Sequence, residues 1–382
     1  MKRILSCLFL IAFLTACNPP VQQAPEVLAP TPYPDTPAPA AINAPIVEAP
    51  AIVSLDMLDE VYGWAVSEKQ ILRTNDGGMT WYNVTPPDVS EVGYAVGTAF
   101  LDLNHAWVQV PDLNNYRNKG TLHRTSDGGV TWTSVATPFS GGDMSFLDAR
   151  NGWMLADLGV GAGSNAVAVF QTNDGGSKWS RTYTNEPNIT GAGDSLPLSG
   201  LKYDLTPLTM QTAWVGGVIY APGTVYLYRT DDSGHTWTQV SLPLPPGAEN
   251  AELSIEHLAF VTSSDAFLSM RMTSDTIQVA VYVSQDAGKT WALTPTLIPQ
   301  GRASDFLSVA EGILFNGDQF YVTRDAAHTW TIIPPDVVFA EMFAGMDFVN
   351  TSTGWVLTAD VTNHRALYKT TDGGATWIPL VP

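Results

Sequence analysis

The chain has 382 residues, 45% of them hydrophobic and 14% charged, with 18 basic against 37 acidic side chains and a formal net charge of -19. Such an acidic balance repels phosphate backbones and anionic headgroups, so nucleic acid is excluded as an expected partner. Cys7 and Cys17 are the only cysteines, too few for a disulfide framework, and stability has to come from burial and strand pairing.

In chain order, residues 1–16 read as a targeting segment. Lys2 and Arg3 precede an apolar run from Ile4 to Phe13 that is too short to cross a membrane. The run ends in Leu14, Thr15, Ala16 and Cys17, which resembles the lipobox of bacterial lipoproteins. That resemblance implies a mature chain beginning at a lipid-modified Cys17 and held in the cell envelope, on the outer (extracytoplasmic or periplasmic) face of a bacterial membrane. Removing residues 1–16 takes away Lys2 and Arg3 and no acid, moving the formal net charge from -19 to -21. Residues 17–50 follow as a tether. Ten prolines between Pro19 and Pro50 fix φ and remove amide donors, so the stretch is expected to be an extended, semi-rigid spacer.

From about Ala51 to Pro382 the sequence repeats. Seven segments carry the pattern Thr/Ser-x-Asp-x-Gly-x-Thr-Trp, with aspartates at Asp76, Asp127, Asp174, Asp232, Asp286, Asp325 and Asp372. The tryptophans are Trp81, Trp132, Trp179, Trp237, Trp291, Trp330 and Trp377. A second element precedes each segment: Gly63–Trp64, Ala106–Trp107, Gly152–Trp153, Ala213–Trp214, Ala266–Phe267 and Gly354–Trp355, with only the sixth, near Gly312–Ile313, lacking an aromatic. Successive aspartates are 51, 47, 58, 54, 39 and 47 residues apart, a spacing that suits one four-stranded propeller blade per unit, with the variation in loops. The fold class expected is all-β, a seven-bladed β-propeller of four-stranded antiparallel blades. Its blades lie at about 51–87, 88–138, 139–186, 187–245, 246–298, 299–336 and 337–382, and the first and last meet without a shared strand.

These segments resemble the Asp-box, or bacterial neuraminidase repeat. Together with the Gly-Trp element the unit is most similar to propellers of the photosystem II stability and assembly factor type, and the likeness covers residues 51–382. It implies Asp-box turns between the last two strands of each blade. There the aspartate accepts backbone N–H bonds, glycine supplies φ > 0 and tryptophan supplies an apolar plate. Carboxylates spread around a ring cannot converge on one ion, so they are read as turns. Blade six, with Ala327 in place of glycine, is expected to have the loosest turn.

The long connections fall on one face: Asp112 to Gly120, Gly159 to Ser164, Asn185 to Tyr203, Pro243 to Glu252, and Pro299 to Asp305. Loops on a rigid scaffold are where binding residues sit, and Tyr116, Arg117, Tyr203, Arg271, Arg302 and Arg365 form the candidate binding face. The runs Gly159 to Gly163 and Gly191 to Gly193 lack the ending of a phosphate loop and read as flexible loops. Six scattered histidines show no metal-ligand spacing, and neither metal nor cofactor is expected. The reading favoured is a monomeric, non-catalytic propeller that binds or scaffolds a protein, as an assembly factor does, or a cell-surface glycan. The enzymatic alternative is a sialidase-like exo-glycosidase, in which Arg117, Arg271, Arg302 and Arg365 clamp a carboxylate and Tyr116, Tyr203 or Tyr220 is the nucleophile. Against it, the chain lacks the arginine-isoleucine-proline motif of those enzymes.

Overall fold

The computed structural model describes residues 42–380 apart from 91, 93–95 and 113–118. Cys17, Tyr116 and Arg117 therefore lie outside the described residues. The described chain is almost entirely β, with two single-turn 3-10 helices at Ala248–Asn250 and Ala340–Met342. Its twenty-eight strands run in consecutive groups of four, each an antiparallel meander. The groups span residues 52–83, 97–137, 142–184, 201–239, 252–299, 303–333 and 343–380 and are called the first to seventh groups below. Five of them form separate four-stranded sheets with one another's edges unpaired. The sheet count differs from the group count in one place: the first, second, third, sixth and seventh groups are sheets of their own, whereas the fourth and fifth join into a single eight-stranded sheet through Val218↔Ser254 and Ile219↔Leu253.

The alternation that makes these segments strands also buries both of their faces. Among the described residues the core divides into clusters that each draw on two consecutive groups, such as Trp64, Val66 and Ile71 with Ala106 and Val108. One cluster unites Ile52, Ala65 and Trp81 of the first group with Trp355, Leu357 and Leu367 of the seventh. The first and seventh groups are thus packed together, and every strand of each of those groups comes from its own stretch of sequence.

The indoles of the Gly-Trp element are 0–2% exposed and donate across the gap to the following group. Trp64 Nε1 reaches Asp102 O (3.0 Å), Trp107 reaches Gly175 O (3.0 Å), Trp153 reaches Thr209 O (3.1 Å) and Trp355 reaches Gly77 O (2.9 Å). Cations on the third strands make parallel stitches. Arg73 donates to Gly128 O at 3.1 Å, Arg124 to Asp174 O and Gly175 O at 2.9 Å, and Lys369 to Glu60 O at 3.1 Å. Trp214, whose group is already bonded to its neighbour by strand pairing, has no partner for its Nε1.

The recurring Thr-x-Asp segments all close in one way. In the fourth group Thr230 Oγ1 donates to Asp232 Oδ1 (2.8 Å), Gly234 N donates to Thr230 Oγ1 (3.0 Å), and Thr236 N and Oγ1 donate to the two oxygens of Asp232 (2.9 and 2.6 Å). Two successive residues then take positive φ, 77° and 98° at Gly373 and Gly374. In the sixth group both positions are alanine, with φ of 57° at Ala326 and 62° at Ala327, yet Thr323, Asp325 and Thr329 keep the full set of bonds. The left-handed conformation is imposed on residues that disfavour it, so the strain expected from Ala327 is present at two positions rather than one.

Two boundaries differ from the sequence reading. Residues 42–50, assigned to the tether, belong to the folded body. Ile46 bridges Tyr82, Val47 N donates to Trp81 O and Asn83 N donates to Pro45 O (2.9 and 2.8 Å), so this segment covers the outer edge of the first group. Strand pairing also continues through Val160↔Asn165 and Gly161↔Ser164, leaving little of the loop expected between Gly159 and Ser164.

Two stability outcomes follow. Trp153→Phe deletes a buried hydrogen bond and strands the Thr209 carbonyl, whereas Trp214→Phe deletes none. Denaturant unfolding should show Trp153→Phe to be the more damaging by about 1 kcal/mol. Ala326→Gly should stabilise the protein by about 1 kcal/mol, because only glycine adopts that φ without a steric cost.

Candidate functional site

The long connections open on one end of the structure, and Tyr203, Arg271, Arg302 and Arg365 all lie there. Three of the four lie on adjoining groups. Tyr203 Oη meets Ser254 Oγ at 2.6 Å and donates to Ile255 O at 3.0 Å. Ser254 donates to Glu256 Oε1 (3.0 Å), and Arg271 donates to Glu256 Oε2 (2.9 Å). Burial, partly offset by the bond from Ser254, pushes the Tyr203 phenol up to about 12. Arg271 and Arg302 line one small cavity with Glu256, Ser269 and Leu314, and Arg302 also donates to Ala340 O (2.8 Å). Arg365 stands apart, lining a different cavity between the first and seventh groups, where it reaches Ile52 O (3.4 Å) and Asn363 Oδ1 (3.0 Å).

Beside Tyr203 is a cavity of about 330 Å³ lined by Gly142, Asp143, Leu155, Asp157, Val167 and Lys202. Lys202 is almost wholly buried, and its ammonium is held by the carbonyls of Asn165 (2.8 Å), Leu198 (2.7 Å) and Gly200 (2.8 Å). Burial lowers it to about 8, opposed by the nearby Asp157. The connection from Asn185 to Tyr203, within which the run Gly191 to Gly193 was expected to be flexible, is anchored at several points. Asn185 donates to Leu196 O (3.2 Å), Leu196 N donates to Tyr183 Oη (2.8 Å), and Tyr226 Oη donates to Pro197 O (3.0 Å).

The sequence reading did not single out a set of carboxyls on the first strands. Asp56, Asp305 and Asp347 each directly precede the last residue of such a strand, and Asp143 and Asp204 sit two positions earlier in register. Three of these carboxyls reach the first strand of the next group: Asp143 accepts from Leu205 N (2.6 Å), Asp305 from Phe348 N (3.0 Å) and Asp347 from Met57 N (2.5 Å). Burial dominates their titration. It pushes Asp56 and Asp143 up to about 6, Asp204 and Asp305 to about 7, and Asp347 to about 8. The turn aspartates Asp127, Asp174, Asp232, Asp286, Asp325 and Asp372 go the opposite way because they accept several hydrogen bonds. Asp286 is lowered to about 2, chiefly by Thr290 N–H and Oγ1–H. A recurring Asp-apolar pair before each first turn, in Asp56–Met57, Asp305–Phe306 and Asp347–Phe348, was the legible signal. Among the described residues no group of three or more His, Cys, Asp or Glu side chains could hold a metal ion.

No family model matches the chain. A xyloglucanase of Hypocrea jecorina (strain QM6a) is 26% identical over 250 residues, which are 56% of this chain and 29% of that protein. The chain thus spans less than a third of that enzyme's length. The photosystem II assembly lipoprotein Ycf48 of Synechococcus sp. (strain CC9902) is 21% identical over 266 residues, 64% of this chain and 75% of that one. Among solved structures, Ycf48 bound to a D1 peptide superposes with a TM-score of 0.54 at 16% identity, covering 89% of this chain and 99% of that chain. The GH74 xyloglucanase of Xanthomonas campestris superposes with a TM-score of 0.60 at 13% identity, covering 88% and 55%. The fold is a β-propeller. Propellers of this kind serve both protein assembly and polysaccharide cleavage, so the fold by itself does not choose between them.

Lys202→Met should be destabilising, by about 2 kcal/mol, since it takes the ammonium donor away from the carbonyls of Asn165, Leu198 and Gly200, of which Gly200 O keeps the Asn165 N–H. It should also open the 185–200 connection to limited proteolysis.

Proposed function

We propose that this chain is a seven-bladed, Asp-box β-propeller that binds an extended segment of a protein partner at the long-loop end, tethered to the outer face of a bacterial membrane through a lipid on Cys17. The observation that carries the binding reading is the Tyr203–Ser254–Glu256–Arg271 network with Arg302 beside it. It holds a phenol and two guanidinium groups in fixed positions, Tyr203 and Arg271 on strands and Arg302 directly before one, at the end where the connections are longest. Fixed planar donors suit backbone carbonyls and carboxylates of a peptide. The likeness to Ycf48, which covers most of both chains, supports a protein partner over a small molecule. The grouping of strands in fours and the shared turn chemistry support the blade count, and the basic n-region followed by Leu14 to Cys17 supports the anchor.

A glycosidase reading has its own support in the xyloglucanase relatives and in Asp143 and Asp157, two carboxylates lining one cavity. General acid catalysis asks for a carboxyl titrating near neutrality, and Asp143 does so. Its engagement with Leu205 N and its counterparts on other blades favour a structural role.

The test uses residues 42–382 titrated against immobilised peptides from the extracytoplasmic tails of membrane proteins. Saturable binding that weakens at least tenfold, about 1.4 kcal/mol, in the Arg271→Ala, Arg302→Ala double variant supports the reading. Hydrolysis of xyloglucan or of a fluorogenic sialoside, lost in Asp143→Asn or in the arginine variants, overturns it. Mass spectrometry of the membrane-extracted protein should find an acylated Cys17 at the amino terminus; an unmodified terminus removes the anchor.

A further inference from the structure

The first and seventh blades pack together, and the chemistry of that seam is unlike an ordinary core. Asp56, Asp305 and Asp347 occupy one register position on their strands, each opposite the first large apolar residue of the second strand: Trp64, Ile313 and Trp355. Asp305 accepts from Phe348 N, beside Asp347, and Asp347 accepts from Met57 N, beside Asp56. Three carboxyls thus follow one another across two blade junctions. None of the ion pairs among the described residues includes any of them.

The groups facing this run are few. On the sixth-blade side, His257 of the fifth blade lies 6.2 Å from the Phe306 ring, and burial keeps it neutral by lowering it. In the first blade the row reads Asp56↔Trp64↔Arg73, and in the seventh Asp347↔Trp355↔Lys369, so an indole stands between each carboxyl and the cation of its row. Both cations are committed elsewhere. Arg73 lies 5.4 Å from the Trp64 ring centroid and donates to Gly128 O, while Lys369 lies 4.7 Å from that of Trp355 and donates to Glu60 O.

We propose that this seam is a proton-controlled clasp, tight while the Asp305–Asp347–Asp56 run holds its protons and loosened as the run ionises. A protonated carboxyl still accepts the backbone N–H through its carbonyl oxygen, so protonation keeps the stitches. Ionisation puts adjoining negative charges into a desolvated site with no counter-ion. The sign follows from linkage. Folding raises these acids above the ordinary carboxylate value, so the folded state binds more protons than the unfolded chain, and stability falls as pH rises through the folded values of about 6, 7 and 8. Six of the turn aspartates, lowered on folding, weaken the protein only in acid. His257 favours the unfolded chain below about 6.5, and Lys202, lowered to about 8, adds stability as pH rises above that value, so within a window of about pH 6.5 to 8.5 the opposing slope is confined to the top.

The experiment follows the melting temperature and the hydrogen exchange of the Met57 amide in the full mature chain across that window, with exchange corrected for its intrinsic pH dependence. Wild type should melt lower at pH 8.5 than at 6.5, and protection of Met57 should drop roughly tenfold or more, the loss expected when groups titrating near 7 and 8 ionise. Asp347→Asn keeps the acceptor for Met57 N and cannot ionise, so most of that drop should vanish. Asp204→Asn, in the carboxyl pair across the ring, should reduce the overall slope and leave Met57 unchanged. If Asp347→Asn does not fold, Asp305→Asn removes the neighbouring charge and should halve the drop or more. A melting temperature that is flat or rises with pH, or a Met57 response in Asp347→Asn or Asp305→Asn equal to that of wild type, overturns the proposal.

Discussion

No four-stranded sheet of this protein can bury its two faces by itself, and the rest of the structure depends on that constraint. A twisted meander exposes apolar side chains on both sides, and water is excluded only when a neighbour covers each side. The clusters built from consecutive groups, including the one uniting the first with the seventh, satisfy this by closing the series on itself. Closure also removes the terminal faces, which in an open array would need polar caps.

Burial does not fix the angle or register between sheets, and here polar stitches supply what burial lacks. A buried indole N–H is best satisfied by an acceptor, and for Trp64, Trp107, Trp153 and Trp355 the turn carbonyls of the next blade are the ones within reach. Arginine and lysine on the third strands use turn carbonyls of the same neighbouring blade, with Arg73 and Lys369 lying over the indole faces. Where strand pairing already joins the fourth and fifth blades, through Val218 and Ser254, the indole of Trp214 makes no such bond. One kind of link stands in for the other.

The two ends of the propeller are chemically different because the strands alternate direction. One end collects short turns whose aspartates are saturated with hydrogen bonds, which hold Asp286 as a carboxylate. The other collects the long connections, with Tyr203, Arg271 and Arg302 and the anchored chain around Lys202. Between these ends the first strands carry carboxyls whose environment favours the proton. The molecule thus holds two populations of aspartate that respond to pH in opposite senses, because one accepts many hydrogen bonds and the other is desolvated among its own kind.

Period and turn chemistry were written in the sequence. A residue that must accept three local hydrogen bonds, followed by two that must take positive φ and by a large aromatic, leaves little choice of local structure. The number of repeats, the all-β class and the end on which the variable loops lie could therefore be read residue by residue. Even Ala327 of the sixth turn announced its strain, though not Ala326 before it. Tertiary structure alone decided which residues meet across blade boundaries. Asp347 and Met57 are 290 residues apart, and nothing local to either predicts their bond. Residues 45–47 completed a blade edge rather than a tether, because the exposed edge of Tyr82–Asn83 offered unpaired backbone groups. Local sequence fixes a turn through bonds that span four residues; a ring, a seam and a buried run of carboxyls arise only when distant strands share one desolvated space.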